Sequence, residues 1–268
     1  MGKTILLTGA TDGIGLETAK LLVSQGHRVL LHGRNPTNLA KVAKDLGAQN
    51  GDDAVESYVA DLSDLTQVKT LAESVTAKHR HLDVLINNAG VFKTSTPMTQ
   101  DGLDIRFVVN AIAPYLLTHK LLPLMNANGR VINVSSAAQS PVDLQALAGQ
   151  RQLTEDFAAY AQSKLALIMW SRNLALSLKS EGPAIIAVNP GSLLGSKMVR
   201  EGFGMAGKDL QIGAEILFRA ALSNEFATAS GQYFDNDSGQ FANPRADALD
   251  AGKLEAVGRA IAAIVTRY

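Results

Sequence analysis

The sequence predicts a doubly wound α/β fold, a parallel sheet with helices on both faces, and three observations carry that prediction. Short runs that are apolar at every position alternate with longer segments of helical period between residues 3 and 190. Strands apolar on both sides belong in parallel sheets that are covered on both faces. A glycine-rich turn follows the first strand directly and opens into a helix. No linker, fixed-period repeat or low-complexity run interrupts the 268 residues, so residues 1–268 read as a single domain.

Residues 5–7, 29–31, 84–86, 131–134 and 185–188 are the expected strands, with a weaker one at 54–59. Leu16, Ala19, Leu22 and Val23 stand at helical spacing and mark a helix over 15–25, which Gly26 stops. Helices over 38–46 and 65–78 follow. Residues 101–125 read as a long helix that Pro114 bends or breaks. Residues 158–178 form another long helix, and 247–267 close the chain as an amphipathic one. The irregular stretches 137–154, 191–208 and 230–245 are the expected walls of a site.

Composition narrows the function. Lys plus Arg and Asp plus Glu each number 25, so no basic field exists for nucleic acid or an anionic membrane. The absence of cysteine removes disulfides, thiolate metal sites and thiol nucleophiles. The first apolar run meets Gly9 too soon for a signal peptide. No stretch approaches the roughly 20 apolar residues of a membrane span. The expectation is a soluble, cytoplasmic protein with a small-molecule partner and no nucleic acid, membrane or metal. His79 and His81 have no third ligand nearby and read as surface residues. Met169 and Trp170 read as core or site wall.

The glycine turn is Thr8-Gly9-Ala10-Thr11-Asp12-Gly13-Ile14-Gly15. Glycines here permit a tight turn and let the backbone approach a pyrophosphate, while the helix N-terminus offers free N–H groups to it. The second strand ends at Gly33-Arg34-Asn35. NAD-preferring proteins carry an acidic residue near this point to hold the ribose 2′-hydroxyl. Arg34 instead suits a 2′-phosphate, which points to NADP. Asp12 weighs against this, because it stands where NADP users often place a second cation. Asp61-Leu62 either meets the adenine amino group or caps the next helix. Asn87-Asn88-Ala89-Gly90 either lets backbone approach the adenosine ribose or makes a plain turn.

Tyr160 and Lys164 lie four apart on one helical face. An ammonium beside a phenol favours the phenolate and lowers its pKa, which suits proton transfer. The buried strand before them ends in Ser135-Ser136, whose hydroxyls can donate to a substrate oxygen. A non-catalytic dinucleotide-binding sensor is the competing reading, and the intact Tyr-Lys pair speaks against it.

These motifs, with Asn189-Pro190-Gly191, resemble the short-chain dehydrogenase/reductase family in content and order from residue 4 to about 191. The resemblance implies a Rossmann sheet of seven strands, reversible hydride transfer with NAD(P), and a tetrad of Asn110, Ser136, Tyr160 and Lys164. It selects Ser136 over Ser135. It also implies a homo-oligomer, a dimer or tetramer built through the two long helices. The long interval from Ser136 to Tyr160, and Gly231-Gln232-Tyr233-Phe234, are similar to the retinol dehydrogenase-like branch. After Pro190-Gly191 the family often places a threonine that bonds the nicotinamide amide. Here either Ser196 substitutes for it or the contact is missing. Residues 197–208 would form a lid, in which Gly202, Gly204 and Gly207 act as hinges or mark a disordered loop.

Overall fold

The computed structural model describes residues 2–268. The chain opens with β1 (Thr4–Leu7), α1 (Gly13–Ser24), β2 (Arg28–Gly33), α2 (Pro36–Asn50), β3 (Val55–Val59), α3 (Leu65–Lys78) and β4 (Val84–Asn87). A continuous helical stretch follows: α4 (Ile105–Phe107), a π turn (Val108–Ile112) and α5 (Ala113–Leu121). Next come β5 (Arg130–Val134), α6 (Leu144–Leu147), the long α7 (Asp156–Leu178) and β6 (Ala184–Asn189). The remainder is α8 (Lys197–Phe203), α9 (Leu210–Leu222), β7 (Tyr233–Asp235), β8 (Gln240–Ala242) and α10 (Ala251–Val265).

The strands form one sheet in the order β3-β2-β1-β4-β5-β6-β7-β8. All neighbours pair in parallel except β7 and β8. Leu6, Leu30, Leu85, Val131 and Ile185 bury one face beneath α3, α5 and α7, while Ile5, Leu7, Val29, Leu31, Ile86, Ile132 and Ile186 bury the other beneath α1 and α9. Each such side chain contributes about 1.5–3 kcal/mol on leaving water. The strand order reverses between β1 and β4, so a crevice opens there at the carboxyl ends of the strands.

Several expectations need correction. The sheet has eight strands, because residues 230–245 are not wholly irregular but hold the β7–β8 hairpin. Strands of three residues are too short to show a period. Helix α9 was not anticipated, although Asp209 caps it and Ala214, Leu217 and Ala221 recur along its buried side. Helix α2 runs beyond the expected 38–46, because Asn35 caps it and Pro36 starts it. Pro114 does not break its helix. The distortion lies just before it, where the Ala113 N–H bonds Val108 O across five residues. A proline lacks the N–H that would bond the carbonyl four residues back, and the wider turn absorbs that loss.

The helical stretch Ile105–Leu124 also has the length and apolar composition of a membrane span, contrary to expectation, but 72% of it is buried inside the fold. His79 is not a free surface residue: it is largely buried and shares Glu56 with Tyr58. Among the described residues no His, Asp and Glu cluster could hold a metal ion. Met169 and Trp170 are core. The face of α7 is covered by α10, so closely that a Cβ at Gly258 would lie 3.0 Å from Asn173 Nδ2. Assembly of copies through α7 would have to displace α10.

Candidate active site

A cleft of about 740 Å³ opens at the strand ends, from Arg34 and Asp61 at one side, past the glycine turn, to Ser136 and Tyr160 at the other. The turn is tightly built. A Cβ at Gly15 would lie 2.0 Å from Gly9 O, and one at Gly9 would lie 2.9 Å from Ala89 Cα. Gly9 and Gly13 have φ of +67° and +56°, a region that favours glycine. At Gly13 the added Cβ would meet only Ser196 Cβ, at 3.6 Å. The turn is therefore closed behind and open toward the cleft, a cradle that fits a dinucleotide pyrophosphate. Asp12 caps α1 by accepting from Gly13 N–H at 2.7 Å. The next N–H groups of the first turn have no intrahelical acceptor and are available to an anion.

Two side chains brace the cradle. Asn88 Nδ2 donates to Thr8 O and Gly9 O, at 2.9 and 3.1 Å. Buried His32 accepts from Gly9 N–H on Nδ1 at 3.3 Å, which leaves Nε2 to donate to Ala60 O at 3.0 Å. Burial lowers the His32 pKa to about 4, so the ring is neutral and this tautomer is kept.

At the far side, α7 is pinned by an ion pair. Arg106 is buried and bonds both Asp104, at 2.8 and 2.6 Å, and Asp156 in the first turn of α7, at 2.6 Å. One turn further on, Tyr160 lines the cleft together with Ser136, whose Oγ accepts from Ala138 N–H at 3.1 Å. Lys164 is buried, donates from Nζ to Val134 O at 2.7 Å, and lies 5.7 Å from the Tyr160 ring centre. Its pKa falls to about 8 through burial. The Tyr160 phenol is pushed up by burial, and the Ser136 hydroxyl works against that rise. The Lys164 ammonium is hydrogen-bonded to Val134 O and stands beside the phenol ring without a bond to it.

A sequence model of the family described as short chain dehydrogenase matches residues 3–205. The chain belongs to the short-chain dehydrogenase/reductase family. Retinol dehydrogenase 12 of Bos taurus is 34% identical over 258 residues, covering 91% of this chain and 81% of that protein. Among solved structures, an uncharacterized protein from Mycobacterium paratuberculosis superposes with a TM-score of 0.83 at 26% identity, covering 98% of this chain and 93% of that one. A short chain dehydrogenase from Shigella flexneri, solved with NADP, gives 0.69 at 26% identity, covering 88% of this chain and 97% of that one. This short-chain dehydrogenase/reductase is an oxidoreductase of the retinol dehydrogenase-like branch, acting on CH–OH or C=O groups with NAD(P).

In this family member the cleft gathers nearly every residue marked from the sequence: Gly9, Asp12, Gly13, Ile14, Gly15, Arg34, Asp61, Leu62, Asn88, Ala89, Gly90, Ser136, Tyr160, Lys164, Pro190, Gly191 and Ser196 all line it. Asn35 does not, and spends its side chain capping α2. Asp61 is not a helix cap: Asp64 caps α3, and one oxygen of Asp61 accepts from Ser63. Ser135 and Ser136 both line the cleft, but the Ser135 hydroxyl donates to Lys164 O at 3.3 Å, while Ser136 Oγ accepts from Ala138 N–H and keeps its proton to give. Asn110 sits in the π turn, grips Val91 N and O at 2.8 and 2.9 Å, and donates to Ser163. Ser196 caps α8 over the glycine turn.

Sequence reasoning missed Phe92, which meets the Tyr160 ring edge-on at 5.2 Å between centres. It also missed Phe157, which joins Phe92 in an apolar wall with Met198 and Val199 of the expected 191–208 stretch. Nothing local marks these residues. The segment expected as a lid holds α8, and Gly202 lies against Phe92, where a Cβ would be 2.5 Å from the ring. Gly204 ends α8 with φ of +68°, and Gly202 permits the close packing on Phe92.

Proposed function

We propose that this protein is an NADP-dependent carbonyl reductase or alcohol dehydrogenase in which Tyr160 is the general acid and base. The observation that carries this reading is the meeting of the Ser136 and Tyr160 side chains at the cleft, backed by a buried lysine ammonium. Two hydroxyls converge there, so a substrate oxygen entering between them meets two donors. The bound nicotinamide supplies or accepts the hydride. Tyr160 gives its phenolic proton to the substrate oxygen during reduction and takes it back during oxidation. Ser136 donates to the same oxygen as its charge grows. Lys164 offsets the negative charge left on Tyr160, a stronger effect in a dry site than in water. Asn110 fixes the Val91 backbone and, through Ser163, the first turns of α7. The apolar wall at Phe92, Phe157 and Met198 supports a substrate with an apolar body.

The residues that would hold the cofactor divide along the cleft. Gly9, Asp12, Gly13, Ile14 and Gly15 would take the pyrophosphate, and Arg34 the 2′-phosphate, without Asn35, whose side chain caps α2. Asp61 and Leu62 would meet the adenine, and Asn88, Ala89 and Gly90 the ribose. Tyr160, Lys164, Pro190, Gly191 and Ser196 would surround the nicotinamide ribose and amide. Two facts favour NADP. Arg34 is exposed and makes no hydrogen bond or ion pair among the described residues. A Cβ at Gly33 would lie 2.6 Å from Thr11 Cγ2, which disfavours an acidic side chain there. The NADP bound to the Shigella flexneri relative agrees with this reading.

The test is Tyr160→Phe. It should remove NADPH oxidation with ketone or aldehyde substrates, by at least about a hundred-fold in kcat, while NADPH binding measured by fluorescence changes little. A variant that turns over at the wild-type rate would refute the assignment.

A further inference from the structure

The Gly231-Gln232-Tyr233-Phe234 motif leads into the β7–β8 hairpin, and the tip of that hairpin reaches the loop that follows β6. Asp237 accepts from Ser192 N–H at 2.8 Å, from the Ser192 hydroxyl, and from Asn189 Nδ2 at 2.9 Å. Asp235 takes the other Asn189 amide proton at 2.7 Å. Asn189 Oδ1 in turn accepts from Gly191 N–H at 3.3 Å. Asn236 Nδ2 donates to Pro190 O at 3.0 Å and Ile212 O at 3.4 Å. Every residue from Asn189 to Ser192 is therefore held from one hairpin tip, directly or through Asn189.

That loop needs an outside hold. It leaves the sheet, so no strand ladder satisfies its N–H groups, and Gly191 stands at φ of +121°. A carboxylate accepts only, and three donors converge on Asp237, which makes these bonds charge-assisted. Burial works to raise the Asp237 pKa, but the bonds from Ser192 and Asn189 outweigh it and hold the carboxyl below its usual range. Asp237 itself does not line the cleft, whereas Asn189, Pro190, Gly191 and Ser192 do.

We propose that Asp237 is a positioning residue, which fixes the Asn189–Ser192 loop and the root of the lid in the shape that receives the nicotinamide end of the cofactor. This rests on the NADP reading above for the identity of what is received. The hold on the loop is a property of the protein alone. Because the loop leads straight into α8, loosening it also frees the lid, whose Lys197, Arg200 and Lys208 are exposed.

Two variants and two readouts test this. Asp237→Asn keeps the shape but places an amide N–H against the donors of Asn189 and Ser192. Ser192→Ala removes one donor to the same carboxylate, the hydroxyl, from the other side while keeping the backbone N–H. In Asp237→Asn, limited trypsin cleavage at Lys197, Arg200 and Lys208 of the ligand-free protein should speed up by about ten-fold. The NADPH dissociation constant, from fluorescence titration, should rise about ten-fold. KM for NADPH should follow it, with kcat changed far less. Ser192→Ala should shift both readouts the same way by less, and the double variant should be no worse than Asp237→Asn alone. Wild-type cleavage rates in both single variants overturn the proposal, as does faster lid cleavage with an unchanged dissociation constant in a wild-type protein that binds NADPH. If wild-type protein binds no NADPH, the functional reading fails, and the cleavage rates still decide whether Asp237 holds the loop.

Discussion

Lys164 offers a direct measure of what the candidate site costs the fold. Its ammonium is buried, and its pKa drops from 10.5 to about 8. The unfolded chain keeps this proton up to about 10.5, and the folded one gives it up above about 8. Between those values the unfolded state binds more protons, so this group adds stability as pH rises through the window. Below it the full penalty applies, ~3 kcal/mol at about 1.4 kcal/mol per pH unit. Lys164→Met removes the charge and keeps the bulk. It also removes the bond to Val134 O, a loss of about 1 kcal/mol. The ligand-free variant should thus be more stable than wild type at pH 7 by ~2 kcal/mol. That corresponds to roughly 4–8 °C in Tm for a chain of this size. Urea denaturation across pH 7 to 11 is the assay. The advantage should shrink through the window and vanish near its top, while turnover is lost at every pH. A variant less stable than wild type at pH 7, or an advantage that ignores pH, would refute the account of a strained ammonium.

Two further predictions concern the cofactor end. Arg34→Ala should lower kcat/KM with NADPH by about ten- to a hundred-fold, the value of one charged hydrogen-bonding partner, and leave NADH nearly unaffected. Parallel kinetics with both coenzymes check this, and an equal loss with each would remove Arg34 from the 2′-phosphate. His32 is buried neutral with a pKa near 4, below its unfolded value. Its contribution is therefore complete at neutral pH and fades as pH falls from about 6.5 toward 4, by up to ~3 kcal/mol. Tm measured against pH should show a shallower acid decline in His32→Gln than in wild type.

Much of this fold is local chemistry. Ile5–Leu7 and Ile185–Val188 announce buried parallel strands because every position is apolar, and that pattern needs no partner to be read. The glycine turn and the Tyr160–Lys164 spacing are equally local, since one depends on permitted φ and the other on helical geometry. Asp237, His32, Asp156 and Phe92 carried no such signal. Each acts on residues at least 23 positions away. Helix α9 is marked in the sequence by its Asp209 cap and its apolar spacing.

Residue order alone therefore decided which segments become strands and helices, where the cradle for a pyrophosphate stands, and which tyrosine has a lysine one turn away. Packing decided the rest: that the Ser135 hydroxyl is spent on Lys164 O, that the Lys164 ammonium donates to Val134 O, and that a hairpin tip anchors the loop after β6. The division has a physical cause. Backbone preference and periodicity act between neighbours, whereas the direction of a side chain and the desolvation of a charge depend on whatever the closed sheet brings alongside.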